Sequence, residues 1–153
     1  MKQFTIPFVP ISVNLLYFTH KNGMRIRTKQ AKEWIELVHK IYESKFGIHP
    51  PTLSRIRLTL HFYFGNRKRD VDNCCKIMLD SLNKFAFADD EQIDELMLKK
   101  CYGNKEQRTE IFIEEIESDK NISYIRTMDN KTIKVSRPIE SDERWGFNKD
   151  DER

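Results

Sequence analysis

At 153 residues the chain fits one domain, and folding at that length removes about 70% of the unfolded chain's surface from water, so a core can form without disulfide staples. A hydrophobic share of 39% beside a charged share of 33% describes a charge-rich globular protein, and no apolar run nears the roughly 18 residues that a spanning helix needs. The net charge of +3 falls wholly ahead of Asp119, because from there onward eight basic residues face eight acidic ones.

Several function classes drop out. Cys74 and Cys75 are adjacent and Cys101 stands apart, which suits neither a disulfide framework nor a zinc knuckle and predicts reduced, mostly buried thiols. His20, His39, His49 and His61 are scattered without metal-ligand spacing, and neither a Walker-type loop nor GxGxxG is present, so no nucleotide cofactor is expected. The opening MKQFTIPFVP has no long apolar stretch or small-residue cleavage site; a cytoplasmic protein with no membrane partner is expected.

In chain order, residues 3–9 alternate as a first strand, and residues 10–22 read as a loop or loose hairpin. Thr28 is a plausible N-cap for an amphipathic helix through Phe46, with Gly47 as its stop. Residues 55–64 alternate strictly, Ile56, Leu58, Leu60, Phe62 and Phe64 against Arg57, Thr59, His61 and Tyr63, which is a long half-buried strand. The basic loop Arg67-Lys68-Arg69 leads to Asp70, an N-cap candidate, and to a second helix reaching about Phe85. Residues 87–91 read as a polar turn, and strands at 95–102 and 108–116, joined through Gly103-Asn104-Lys105, as a hairpin. The order β-α-β-α-β-β gives an α+β fold, a mixed sheet packed against two helices, with residues 118–153 appended to it.

Basic residues gather at Lys21/Arg25/Arg27/Lys29/Lys32, at Arg55/Arg57, at 67–69 and at Lys99-Lys100, a set that leans toward phosphate binding. Among them lies the stretch Arg69-Asp70-Val71-Asp72-Asn73-Cys74-Cys75-Lys76. One by one these residues have ordinary employment: Asp70 as a cap, Asp72 in the first turn where the macrodipole favours anions, Lys76 paired with Asp72 at i,i+4. That account leaves unexplained why two acids and an amide crowd against three basic residues, and why a second acidic pair, Asp89-Asp90, follows the same helix. A helix of some 15 residues spans roughly 22 Å, so Asp90 approaches Asp70 and Asp72 only if the chain folds back.

The run RDVDNCCKIMLDSL followed by FADDEQI resembles the signature of the RusA family of Holliday-junction resolvases: Arg-Asp-x-Asp-Asn, a Lys four residues after the second Asp, an Asp four later, and a distal Asp-Asp followed by a Gln. The opening IPFVPISVN, with Pro10 and Asn14 ahead of Tyr17, is similar to the family's first strand and loop, and the likeness runs over residues 3–116. The resemblance implies a nuclease domain over residues 1–117, with 118–153 an extension of unknown role. It also implies a homodimer, of a kind often carried by prophages, that binds four-way DNA junctions and cuts them in recombination and repair with Mg2+, Mn2+ being a substitute.

Position by position, Asp70, Asp72 and Asp90 match the metal-binding carboxylates, with Asp89 as fallback for Asp90, and Lys76 matches the essential lysine. Arg69 sits where the family has a basic residue near phosphates, and Arg67 and Lys68 join it as DNA-binding residues. The chemistry is consistent: phosphodiester hydrolysis calls for a hard cation, and magnesium takes oxygen ligands. Tyr17 and Phe18 are candidates for stacking at the junction centre, although a core place is the commoner role for an aromatic. The alternatives are a non-catalytic DNA-binding protein that keeps the fold and a structural protein whose acids only cap helices.

Overall fold

The computed structural model describes residues 1–66 and 68–117, together with the backbone of two short strands at Tyr124–Arg126 and Thr132–Lys134. The expectations for Arg67 and for the side chains of the C-terminal extension lie outside the described residues.

Four strands form one mixed sheet. These are β1 (Lys2–Ile6), β4 (Arg55–Tyr63), β5 (Ile93–Cys101) and β6 (Arg108–Ile116), in the order β1-β6-β4-β5. β6 runs antiparallel to both β1 and β4, and β5 runs parallel to β4. Between β1 and the first helix, α1 (Lys29–Phe46), the chain makes a 3-10 turn at Val13–Leu15 and a small antiparallel ribbon of β2 (Tyr17–Thr19) and β3 (Arg25–Arg27). The second helix, α2 (Asp72–Leu82), connects β4 to β5, and β7 (Tyr124–Arg126) pairs antiparallel with β8 (Thr132–Lys134).

The alternation of β4 decides where the core sits. Ile56, Leu58, Leu60 and Phe62 are fully buried, and across the ladder they meet Ile111 and Ile113 of β6, which in turn back onto Phe4 of β1. α1 closes this face with Ala31, Trp34, Val38 and Tyr42 at helical spacing, and α2 with Cys74, Cys75, Ile77, Met78 and Leu82. The thiols are free and, at Cys74 and Cys75, buried, as expected. Thr28 caps α1, its hydroxyl accepting from the Ala31 amide at 3.2 Å, and Gly47 ends the helix at a positive φ of 77°.

Four expectations need correction. The last two long strands do not form a hairpin, because β4 lies between them. β4 is apolar enough on its inner face to be central, so it takes β5 on one edge and β6 on the other, and the connection after Cys101 steps across it, about 10 Å. β1 stops at Ile6, since Pro7 cannot donate to the ladder. α2 ends at Leu82, because Asn83 is extended and Lys84 turns to a positive φ of 62°. Residues 87–91 are polar only in their second half: Phe87 and Ala88 are buried, with Phe87 bridged to Thr52 and Asn83.

Candidate active site

β4 and β5 are parallel neighbours, so α2 is the crossover between them and runs back along the sheet. Asp70 and Asp72 therefore stand beyond the carboxyl end of β4, where α2 begins, while Asp89 and Asp90 stand ahead of the amino end of β5. The distal pair faces the helix at Lys76, one turn into α2, whose ammonium and the Asp90 carboxylate act on each other's charge; among the described residues neither Asp70 nor Asp72 enters that contact.

Asp70 does not cap α2. The cap position is Val71, itself in helical geometry, and no side chain accepts from the first turn. Asp72 opens the helix, and both acids are exposed and enter no hydrogen bond or ion pair among the described residues. Nor does Lys76 pair with Asp72. Its Nζ donates to Oδ1 of Asp80 at 2.7 Å, one turn further on, and this bond holds the ammonium above its ordinary pKa, with Asp80 and Asp90 adding Coulombic support against the cost of burial.

The distal acids are held by a short buried network. Asp89 caps the 3-10 turn Asp90–Gln92, its Oδ1 accepting from the Glu91 amide at 3.2 Å. Gln92 is fully buried: its Oε1 accepts from the Asp89 amide at 2.7 Å, and its Nε2 donates to the carbonyls of Thr52 at 3.0 Å and Ser54 at 2.7 Å, just ahead of β4. Asp90 is thereby fixed in place with its carboxyl against that of Asp89. Partial burial, and then the hydrogen bond and repulsion from Asp89, push the Asp90 carboxyl above the ordinary aspartate range, while Lys76 pulls the other way.

Among the described residues, no three His, Cys, Asp or Glu side chains converge closely enough to hold an ion, so the expected meeting of Asp70, Asp72 and Asp90 is not a preformed cage. The donor set still fits magnesium, which takes one or two carboxylates and leaves its other positions to water and substrate phosphate. The Asp90 carboxylate, pressed against that of Asp89, is one such ligand, with a charge excess that a cation relieves.

Of the expected DNA-binding residues, Lys68 is exposed and Arg69 is half-buried, its Nη2 donating to the Pro10 carbonyl at 2.6 Å and its guanidinium lying over the Phe64 ring. The Arg55/Arg57 cluster is not a phosphate site. Arg55 is buried and forks onto Asp94, and Arg57 bridges Glu95 and Glu114, so their charge is spent within the sheet. Tyr17 is half-buried with its hydroxyl on Asp80, whereas Phe18 is exposed. Sequence reasoning gave no role to Asp80 or Gln92, although both stand inside the motif, four residues after Lys76 and two after Asp90.

Known proteins complete this description. The profile of the family described as "Endodeoxyribonuclease RusA" matches residues 7–114. A protein of Enterobacteria phage HK97, named crossover junction endodeoxyribonuclease rusA, is 32% identical over 117 residues, which cover 76% of this chain and 96% of the phage protein. The matched span begins just after β1 and holds β4, β5, all of β6 but its last two residues, both helices, and every acid and base of the site described above. The chain belongs to the RusA endodeoxyribonuclease family.

Proposed function

We propose that this chain is a magnesium-dependent, structure-selective endodeoxyribonuclease that resolves four-way DNA junctions as a homodimer. Family membership supports the reaction class. The observation that carries the residue assignment is that Asp70, Asp72 and Lys76 lack the structural employment their spacing offers. Asp70 leaves the helix uncapped, Asp72 is unpaired among the described residues, and Lys76 turns to Asp80 with its charge toward Asp90. Exposed acids with no structural task at the start of the helix that carries a fixed ammonium are groups a phosphodiester-cleaving site can use.

In this reading Asp70, Asp72 and Asp90 would hold Mg2+, or Mn2+ in its place, although among the described residues they form no preformed cage. Asp90 is preferred to Asp89 because the Asp89 side chain is already committed to its cap. When bound, the cation neutralises developing charge and lowers the pKa of the attacking water. Water adds to phosphorus, one P–O ester bond breaks, and the proton ends on the departing sugar oxygen. Lys76 sets a point charge on the scissile phosphate, and Arg67, Lys68 and Arg69 track the neighbouring phosphates, which confers affinity and register without sequence preference.

The test is a nicking assay on a labelled four-way junction, with and without Mg2+, beside linear duplex of the same sequence. Cutting of the junction only with Mg2+ or Mn2+, and little cutting of duplex, is the expected result. Junction binding without cutting under either metal overturns the reading in favour of a non-catalytic binding protein.

A further inference from the structure

Asp80 is the most heavily partnered acid of α2. Its side chain is only 10% exposed, yet cationic or hydroxyl groups from three elements converge on it. Lys76 of α2 donates to Oδ1 at 2.7 Å, the Tyr17 hydroxyl of β2 donates to Oδ2 at 3.0 Å, and Nη2 of Arg27 in β3 lies 3.5 Å from Oδ2. Tyr17 and Arg27 are themselves facing partners in the β2–β3 ladder, so the ribbon presents both groups to one carboxylate oxygen. Oδ1 is left for Lys76.

The Lys76 side chain is half exposed and long, with three rotatable donors on its tip; unanchored, it would sample many positions. A buried carboxylate whose second oxygen is tied to another element gives that ammonium a fixed address one turn along the helix. We propose that Asp80 is a positioning residue, which holds the Lys76 ammonium toward Asp90 through a carboxylate that Tyr17 and Arg27 lock in place. This rests on the junction-cleaving reading above, because it assigns Asp80 a part in that reaction. A purely structural Asp80, one that only pins the ribbon to α2, predicts different results.

Single-turnover cleavage of a four-way junction with Mg2+, and junction affinity without metal, are measured for the parent, Asp80→Asn, Lys76→Ala and the double variant. Asp80→Asn keeps the shape and one acceptor but removes the charge. Its cleavage rate is expected to fall at least tenfold, with affinity within about twofold of the parent or tighter, and it should add no further loss in the Lys76→Ala background. Cleavage by Asp80→Asn within twofold of the parent, or a loss that adds in full to that of Lys76→Ala, overturns the positioning role.

Because Asp80→Asn can also unfold the ribbon contact, the parent is examined by NMR of its lysine ammonium groups, free of metal and DNA. The Lys76 ammonium is expected to be markedly more ordered than that of exposed Lys40; equal mobility overturns the proposal. A parent that cuts no junction at all overturns the reading beneath it, whereas a parent that cuts while Asp80→Asn cuts equally well overturns the positioning alone.

Discussion

Asp90 sits against a second carboxyl and beside an ammonium, and the two neighbours pull its proton affinity in opposite directions. Partial burial, joined by the second carboxyl, outweighs the ammonium, so its folded pKa lies above the unfolded one. The folded state therefore binds more protons than the unfolded chain between those two values, and stability falls as pH rises through that window. Asp90→Asn removes this fall, and metal-free melts of parent and variant should be closest at acid pH and separate in favour of the variant toward neutrality. In junction assays, Asp72→Asn and Asp90→Asn should abolish cleavage while leaving affinity equal or better, since under the proposed function each removes a ligand and a negative charge facing DNA. Lys76→Ala should lose most cleavage but keep Mg2+ affinity, because an ammonium is not a ligand. Asp70 gives a cleaner contrast. A capping aspartate would cost about 1 kcal/mol when replaced by Ala, but the uncapped start of α2 predicts a change within about 0.5 kcal/mol in urea unfolding.

At the scale of the element, the acidic turn is stable only because Gln92 is. Its amide satisfies one backbone N–H and two carbonyls in a place water does not reach, so Gln92→Ala strands three polar groups and should cost about 2 to 4 kcal/mol in denaturant unfolding, with cleavage lost below the transition as Asp90 moves. This was legible in the sequence only as a letter in a motif. Periodicity shows which residues face a core, and it located α1 with its cap and stop, β4 with its buried face, and the strand character of β5 and β6. It carries no information about partners. The hairpin expected of β5 and β6 failed because nearness in sequence stood in for pairing, and the ion pair expected of Lys76 went to the wrong acid because i−4 and i+4 look alike until Tyr17 and Arg27 are seen to gather at Asp80. In the same way Arg55 and Arg57 read as a phosphate-binding cluster while their acidic partners stood some 40 to 60 residues away.

For the whole molecule, the mild positive charge is the quantity that DNA meets first. Junction binding without metal should weaken steeply with salt, and neutralising Arg67, Lys68 and Arg69 together should flatten the slope of log K against log salt by roughly two to three units, read by titration at several salt concentrations. A smaller change is expected for Arg55 and Arg57, whose charges are already matched. Among the described residues no helix is long and apolar enough to cross a membrane.

β1 begins at the second residue of the chain, and among the described residues its only sheet neighbour is β6, with Lys2 opposite Ile113. Synthesis from the amino end therefore makes β1 first and its partner last among the four strands, and β4, the middle of the sheet, also waits for β6. No stretch of chain ending before Arg108 can close the sheet, so loop-closure entropy comes due late and all at once. Refolding from urea, followed by stopped-flow fluorescence of Trp34 in a Trp145→Phe background, should accordingly fall in the millisecond-to-second range of non-local folds and not among fast helical bundles. A chain truncated at Asn104 should show no cooperative unfolding transition, although it keeps both helices and every proposed catalytic residue.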